Sequence, residues 1–420
     1  MKGSFYIYTL GCKVNSYESQ AIKEMMINDG YFYDEDNPSV VFINTCSVTS
    51  VSDQKSRQRI RSFIKKYPSS IVVVLGCYSQ MAYNFVKTIE GVNIVIGTKK
   101  RVDVVSLINE FKETNEQIVL VDKTERIEPF EELTISSYSE NTRAFLKIQD
   151  GCNNFCSYCI IPYTRGGVRS RPKENVLKEV ERLVDNGYQE IVLTGIHTGM
   201  YGQDLENYSF SDLLIDILKN KKLKRLRISS IEESEIDDKM IELLENEPRI
   251  ASHLHIPLQS GSESVLRRMN RKYTKEQFYQ KLCKIREKRS DIAITTDIIV
   301  GFPGETEEEF VECYEFAKKC AFSQIHVFPF SPRSGTPAYN MKNQVEPQIK
   351  KSRVHKLLEF SNSLQEQYES QFIGQELEVL FEEYDSENKT AKGHTSNYIL
   401  VKIHSDISLH NKFIKVLFKK

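Results

Sequence analysis

The sequence predicts an α/β fold in three parts: an N-terminal doubly wound parallel sheet, a central partial barrel of six β/α units, and a small C-terminal all-β barrel. Three observations support this prediction. Apolar β-branched runs alternate with helix-prone stretches over the first 125 residues, a second series of such units follows a polar segment, and short alternating strands follow Gly374. Strands that are apolar on both faces and separated by helices are typical of parallel sheets.

The N-terminal part contains the first series of units. Strands are predicted at residues 5–10, 40–44, 71–75, 94–96 and 118–121, and helices between them include residues 17–28 and 52–66. Residues 125–141, ERIEPFEELTISSYSEN, are polar and acidic and are predicted to form a linker. The pattern therefore indicates a first domain over residues 1–125.

The second series predicts six strands, at residues 143–148, 190–194, 225–229, 253–257, 292–299 and 324–328. Six strands are too few for a closed eight-stranded barrel but enough for a partial one. A charged helix is predicted over residues 346–373, followed by strands at 376–381, 397–403 and 412–417. We expect a second domain over residues 138–368 and a third over residues 371–420, the third being all-β.

Composition and charge limit the classes of protein to which this chain can belong. The 420 residues carry a formal net charge of −1, so any affinity for nucleic acid must come from local patches. No apolar run reaches the roughly 18 residues of a membrane helix, and the opening MKGSFYIYTL reads as a strand and not as a signal peptide. We expect a cytoplasmic protein without a membrane partner. Nine cysteines in such a chain indicate metal or redox chemistry more than disulfides.

The motif C-x3-C-x2-C at Cys152, Cys156 and Cys159 directly follows a predicted strand. Three thiolates this close can bind three irons of one 4Fe-4S cluster, and the fourth iron would then be free to chelate the amino and carboxylate groups of S-adenosylmethionine. The alternative is a zinc site, but zinc prefers four ligands, and no second cysteine pair or suitable histidine lies nearby. The spacing resembles the signature of the radical S-adenosylmethionine superfamily.

Later strand ends carry candidate contacts to that cofactor. They are Thr194 and Gly195 after the second strand of the series, Gln259 and Ser260 after the fourth, and Gly301 and Gly304 in the turn GFPGE. Glycines at such a turn let the backbone approach a ligand closely. The alternative is that these are ordinary turn residues and solvent-facing polar residues.

A second set of cysteines follows the predicted strands of the first domain. Cys12, Cys46 and Cys77 follow TLG, INT and VLG, each at a strand end. The carboxyl ends of neighbouring parallel strands meet at one edge of a sheet, so we expect these thiols to converge on a second 4Fe-4S cluster. The alternative is three unreactive core cysteines. The remaining three, Cys283, Cys313 and Cys320, lie on predicted helices without ligand spacing and are expected to pack.

Together the motifs TLGCKVNSYES, INTCSVTS, VLGCYSQ, IQDGCNNFCSYCIIPYTRG, HIPLQSGS and GFPGET resemble the methylthiotransferase family over essentially the whole chain. The resemblance implies an N-terminal methylthiotransferase domain, a radical S-adenosylmethionine domain and a C-terminal TRAM domain. It implies that Cys152, Cys156 and Cys159 hold the radical-generating cluster and that Cys12, Cys46 and Cys77 hold an auxiliary cluster on which a methylthio group is assembled.

Within the family, TLGCKVN, IPYTRG and RISSIE look most like the branch that acts on carbon 2 of N6-threonylcarbamoyladenosine at position 37 of tRNA. Methylthiolation of isopentenyladenosine or of a ribosomal-protein aspartate stays open as an alternative, as does a zinc-stabilised RNA-binding adaptor without enzymatic activity. The resemblance implies four partners: S-adenosylmethionine, the tRNA anticodon stem-loop, a reducing partner such as a flavodoxin, and a sulfur donor.

Contacts to RNA are expected from basic runs and from aromatic residues of the C-terminal module. The runs are Arg165, Arg169 and Arg171; Arg267, Arg268, Arg271 and Lys272; and Lys55, Arg57, Arg59, Arg61, Lys65 and Lys66. They could pair with phosphates, and Phe381, Tyr384 and Tyr398 could stack on bases. The alternatives are solvated helix faces and a small β-barrel core.

Overall fold

A computed structural model of the chain describes residues 2–137 and 142–419. Its first part is a parallel sheet of six strands in the order β2-β1-β3-β4-β5-β6. The strands are β1 (Ser4–Thr9), β2 (Phe32–Tyr33), β3 (Val40–Thr45), β4 (Ile71–Gly76), β5 (Ile94–Ile96) and β6 (Ile118–Leu120). The helices between them are α1 (Lys13–Asn28), α2 (Ser50–Lys66), α3 (Cys77–Val86) and α4 (Val104–Thr114).

The central strands of this sheet are apolar on both faces because helices cover both. Successive residues of a strand point to opposite faces. Phe42 accordingly packs with Ile22 of α1 in one core, while Ile43 packs with Ile60 of α2 in the other. The predicted parallel α/β arrangement is confirmed here, with helices on each side of the sheet.

The predicted linker has no helix or strand over residues 121–137, but it is packed against the protein. Leu133 and Ile135 are buried in the core of the central part of the chain, and Glu131 accepts hydrogen bonds from the Arg101 guanidinium at 2.5 and 2.8 Å. Polar composition therefore predicted the lack of regular structure but not the burial. The last linker residues, 138–141, and with them the expected start of the second domain, lie outside the described residues.

The central part begins with a second sheet and a third one beside it, in the orders β10-β9-β7-β8 and β11-β12-β13. The strands are β7 (Arg143–Asp150), β8 (Arg169–Ser170), β9 (Glu190–Gly195), β10 (Arg225–Ile228), β11 (His253–His255), β12 (Ala293–Val300) and β13 (Gln324–Pro329). All of them pair in parallel except β8. Isolated parallel bridges, Leu226 to Ile250 and Ser230 to His255, join the two sheets between β10 and β11.

Helices alternate with these strands, as the sequence predicts. They are α5 (Ile161–Arg165), α6 (Lys173–Asp185), α7 (Phe210–Leu218), α8 (Asp238–Asn246), α9 (Glu263–Arg268), α10 (Lys275–Lys288) and α11 (Glu307–Cys320). Local sequence determines where some of these helices begin. At the start of α11, the Thr306 side chain accepts a hydrogen bond from the Glu309 backbone N–H, and the Glu309 side chain accepts one from the Thr306 backbone N–H, which is a capping box. Cys313 and Cys320 of α11 are buried in the main core, and Cys283 of α10 is half-buried, in agreement with packing roles.

The last part of the chain is α12 (Pro347–Ser370) followed by an antiparallel sheet in the order β16-β15-β14-β17. Its strands are β14 (Glu376–Asp385), β15 (Thr390–Thr395), β16 (Leu400–His404) and β17 (Lys412–Leu417). This sheet docks on the central part: the guanidinium of Arg227 in β10 donates to the carbonyls of Thr395 and Ser396. Across the described residues, every helix is too short or too polar to span a bilayer.

Candidate active site

Three cysteines meet at the carboxyl edge of the N-terminal sheet. Cys12, Cys46 and Cys77 follow β1, β3 and β4, which are neighbours in the sheet. A Cβ atom on Gly11 would lie 3.2 Å from the Cβ of Cys46, so the first two loops are in contact. Burial raises the pKa of the Cys46 thiol, and the charge of Cys77 adds to this; Cys77 is affected likewise by burial and by Cys12. The three cysteines thus lie at the same edge of the sheet.

A second group of cysteines lies in the loop after β7. Cys152, Cys156 and Cys159 lie within eight residues, and the backbone N–H of Cys159 donates to the Cys156 carbonyl at 3.0 Å. Burial raises the pKa of the Cys159 thiol to about 12, with further contributions from the charges of Cys156 and Cys152. All nine cysteines of the chain are free thiols.

Cationic or imidazole donors lie against one sulfur of the first group and two sulfurs of the second. Arg165 Nε lies 3.4 Å from Cys77 Sγ, Arg271 Nη1 lies 3.4 Å from Cys156 Sγ, and His197 Nδ1 lies 3.4 Å from Cys152 Sγ. Such donors stabilise thiolates, which are the form in which cysteine binds iron. The residues therefore fit two iron–sulfur clusters chemically.

The described residues, 2–137 and 142–419, contain no three His, Cys, Asp or Glu side chains arranged around one metal ion. A 4Fe-4S cube has a different requirement, because each of three thiolates binds a separate iron and the sulfurs need not meet at one point. The absence of a single-ion site from the described residues therefore does not bear on whether the two cysteine groups hold clusters.

A buried ionic network joins the two groups. Arg165, six residues after Cys159, donates both to Cys77 Sγ and to Glu18 Oε1, the latter at 2.8 Å. Glu18 also accepts from Lys147 at 2.9 Å and lies 2.6 Å from Arg101 Nη1. Burial alone would raise the pKa of Glu18, but the three cations hold it well below its usual range. The segment that carries one cysteine group is therefore anchored directly to the other.

This network contradicts one sequence-based expectation. Arg165, Arg169 and Arg171 were expected to be available to phosphates, but all three are buried and paired with carboxylates. Arg271 is buried too, 2.7 Å from Glu232 Oε1. Sequence spacing cannot distinguish a buried arginine from an exposed one. The basic run on α2 is exposed except for Arg57, which is partly buried and donates to the Tyr78 hydroxyl.

A cavity of about 630 Å³ opens beside the first cysteine group. All three parts of the chain line it: Cys12 and Lys13 from the first, Thr194, Gly195, Arg227, His253, His255 and Asp297 from the second, and Tyr398 from the third. The volume suits a nucleoside-sized ligand. Gly195 lies two residues before His197, which contacts Cys152, but the second cysteine group and His197 are outside the cavity lining.

Only some of the residues predicted to contact S-adenosylmethionine line this cavity. Thr194 and Gly195 line the cavity. Gln259 has a left-handed backbone with φ of +65° and lies outside that lining, and Ser260 is buried with its Oγ accepting from the Ser262 backbone. Their roles stay predictions.

Gly301 and Gly304 both have positive φ, as the turn requires, but they also lie outside the cavity lining. A Cβ on Gly301 would lie 2.4 Å from Cγ of Lys350, because the lysine stem fills that space. Gly304 lines a separate cleft together with Arg353 of α12. Their contact with S-adenosylmethionine likewise stays a prediction.

The aromatic residues of the C-terminal sheet that were expected to stack on RNA differ in how deeply they are buried. Phe381 is fully buried in the core of that sheet, which contradicts its expected stacking on RNA, and Tyr384 is half-buried. Tyr398 instead lines the cavity with φ of +69°, between the rings of His253 and His394, each 4.9 Å away. The C-terminal sheet therefore contributes a wall to the cavity.

Sequence reasoning missed Lys13, His197 and His253 as site residues. His197 is buried between Cys152 and Glu235 Oε1, the latter at 2.7 Å; burial lowers its pKa, but these two partners raise it well above its usual value. GIHTG, directly after a strand end, was a usable signal for His197. Lys13 could also have been identified from the sequence, because it directly follows Cys12.

Comparisons with known proteins show which family the chain resembles. The description "Radical SAM superfamily" matches residues 146–317, and "Uncharacterized protein family UPF0004" matches residues 4–97. The threonylcarbamoyladenosine tRNA methylthiotransferase MtaB of Bacillus subtilis is 46% identical over 98% of this chain and 93% of its own length. MtaB of Aquifex aeolicus is 37% identical over 94% and 95%.

A relative from another branch is more distant. The tRNA-2-methylthio-N(6)-dimethylallyladenosine synthase of Clostridium tetani is 35% identical over 100% of this chain and 94% of its own. Among solved structures, the radical S-adenosylmethionine methyltransferase TsrM of Kitasatospora setae has a TM-score of 0.59 at 13% identity, covering 80% of this chain and 76% of that one. At that identity the likeness concerns the fold alone.

Proposed function

Since the chain belongs to the methylthiotransferase family, in its threonylcarbamoyladenosine (MtaB) branch, we propose that it transfers a methylthio group to carbon 2 of N6-threonylcarbamoyladenosine at position 37 of tRNA. The observation that carries this proposal is the cavity itself. It is lined by Cys12 of one cysteine group and by Gly195 at the end of β9. Gly195 is two residues before His197, which contacts Cys152 of the other group. A base held there is proposed to lie beside Cys12 of the first cysteine group.

The proposal assigns two 4Fe-4S clusters, one to Cys12, Cys46 and Cys77 and the other to Cys152, Cys156 and Cys159, with S-adenosylmethionine as cofactor. When bound, these groups supply one-electron chemistry that side chains lack, since the C2–H bond of adenine is strong and not acidic. The rest of the proposal concerns the chain's own side chains, which bind, orient and exclude water.

Arg165, Arg271 and His197 act as positioning residues. Each donates to one cysteine sulfur and is itself paired with a carboxylate: Arg165 with buried Glu18, and Arg271 and His197 with partly buried Glu232 and Glu235 respectively. Fixed partners of this kind orient metal ligands and exclude water. Thr194 and Gly195 are proposed to hold the amino end of S-adenosylmethionine, and Gln259, Ser260, Gly301 and Gly304 to complete that site after local rearrangement.

The finer architecture is part of the same proposal. Strands β7, β9, β10, β11, β12 and β13 are proposed to form the partial six-stranded barrel of a radical S-adenosylmethionine domain, supported by the bridges between β10 and β11. The C-terminal sheet is proposed to be a TRAM domain that binds the anticodon stem-loop next to Tyr398. The domains are proposed to span residues 1–125, 138–368 and 371–420, with a flavodoxin-like reductant and a separate sulfur donor acting in the cytoplasm, where tRNA is modified.

Nucleoside mass spectrometry tests this function. We expect tRNA from cells that lack their own methylthiotransferases to gain the 2-methylthio derivative of N6-threonylcarbamoyladenosine when this chain is expressed. The matched control is Cys156→Ala, which should give none. The proposal would be overturned if only the dimethylallyladenosine derivative appeared, or if the tRNA stayed unmodified while the protein was soluble and loaded with iron.

A further inference from the structure

A loop after β13 reaches the first cysteine group through one side chain. Arg333 Nη1 donates to Asp53 Oδ2 at 2.5 Å and to the Thr49 carbonyl at 3.3 Å. Its Nη2 donates to the hydroxyl of Ser47, which directly follows Cys46 and itself donates to Asp53 Oδ1 at 2.9 Å. Arg333 is only 7% exposed, so one buried cation holds both ends of the loop that carries Cys46.

The same loop contacts the second cysteine group five residues later. The Ala338 backbone N–H donates to the Ser157 carbonyl at 2.8 Å, and Ser157 lies between the second and third cysteines of that group. Tyr158, the next residue, packs against the apolar cluster that contains Ala338. Residues 333–338, which we call the bridge segment, therefore connect the two cysteine groups by direct contacts at both ends.

The bridge segment has little conformational freedom between its two contacts. The Thr336 N–H and hydroxyl both donate to the Arg333 carbonyl, at 3.1 and 2.7 Å, which closes a four-residue turn. Gly335, at the third position of this turn, has φ of +87°, as type II turns require there. Pro337 follows and restricts its own φ. Thr336 and Ala338 are buried, so the separation of the two ends is rigidly defined.

We propose that the bridge segment is a positioning element that sets the separation between the Cys46 loop and the second cysteine group, with Arg333 as its principal positioning residue. This inference rests on the proposed function, because two reactive centres must be held in register for one base to be modified. The buried network around Glu18 is a different connection, since it reaches the first group at Cys77. Loss of the Arg333 side chain therefore leaves the first two parts of the chain joined but frees the Cys46 loop.

Hydrogen–deuterium exchange of the iron-loaded full chain tests the contact itself. We expect Arg333→Gln to speed amide exchange over residues 46–53 by at least about 10-fold, because a buried charge-assisted hydrogen bond that restrains this loop is lost. The matched control is Arg249→Gln. Arg249, in the loop before β11, also donates to a carboxylate and to two backbone carbonyls, but its loss should leave exchange over residues 46–53 unchanged. Unchanged exchange in Arg333→Gln would overturn the proposal.

The ratio of 5'-deoxyadenosine to methylthiolated nucleoside tests the positioning role. We expect Arg333→Gln to raise this ratio by about 10- to 100-fold at near-normal iron content, because a misplacement of about 1 Å has an effect of this order on a reaction between held groups. Arg333→Lys should raise it less, since the ammonium can still pair with Asp53. Arg249→Gln should leave the ratio unchanged even where it lowers Tm.

Asp53→Asn keeps the test decisive if Arg333→Gln fails to fold. It removes the carboxylate that Arg333 contacts and leaves the arginine in place, so exchange and product ratio should change in the same direction by a smaller factor. A lowered Tm with an unchanged product ratio would make the contact purely structural and contradict the proposal. If the unaltered, iron-loaded chain gives no methylthiolated nucleoside, the proposed function is wrong, while the exchange result still decides whether the bridge segment restrains the Cys46 loop.

Discussion

Cys77→Ala is expected to abolish methylthiolation and to remove about half of the iron, while reductive cleavage of S-adenosylmethionine persists. Cys77 is buried at the start of α3, and its Sγ accepts from Arg165. The change deletes one ligand of the proposed auxiliary cluster and leaves Cys152, Cys156 and Cys159 intact. Iron analysis, 5'-deoxyadenosine formation and nucleoside mass spectrometry measure the three effects.

Cys320→Ala is the matched control for this prediction. Cys320 is also a buried cysteine, at the end of α11, but it packs in the core of the central part of the chain. It should retain full iron and full methylthiolation, with a stability loss of about 1 kcal/mol for the lost packing. Normal iron content in Cys77→Ala would show that the N-terminal thiols hold no cluster.

Glu18→Gln is expected to lower the free energy of unfolding by about 3 kcal/mol, because Arg101, Lys147 and Arg165 then share only one buried carboxylate, Asp150, instead of two. The folded pKa of Glu18 is depressed, so its contribution is complete above the unfolded value of about 4.3 and declines as the pH falls toward the folded value. Denaturant titration at neutral and acidic pH measures both effects.

An exposed ion pair serves as the control for this change. Lys222 and Asp185 are 2.8 Å apart, with side chains 75% and 50% exposed. Lys222→Ala should cost at most about 1 kcal/mol, because solvent screens the pair. An equal, small loss in both variants would mean that the Glu18 network does not stabilise the junction between the first two parts of the chain.

Periodicity and strand-end logic predicted most of the fold and the two cysteine groups. The ends of β1, β3 and β4 could be located from their apolar runs, and parallel pairing then required Cys12, Cys46 and Cys77 to meet at one edge. Strand β15 was missed because TAKGHT is polar and its pairing is decided by its neighbours in the sheet.

Side-chain burial was much less predictable. Arg165 and Arg171 read as surface cations, but distant carboxylates such as Glu18 and Glu179 bury and neutralise them. The sequence suggested that Phe381 stacks on RNA bases, but the structure places it in the core of the C-terminal sheet.

The central claim is that two three-cysteine groups, one at the edge of the N-terminal sheet and one after β7, each hold an iron–sulfur cluster. An anomalous-difference map at the iron absorption edge, from anaerobically grown crystals of the full chain, tests it most directly. The account predicts two separate iron peaks, one bounded by Cys12, Cys46 and Cys77 and the other by Cys152, Cys156 and Cys159. A single peak, or a disulfide within either group, would contradict it.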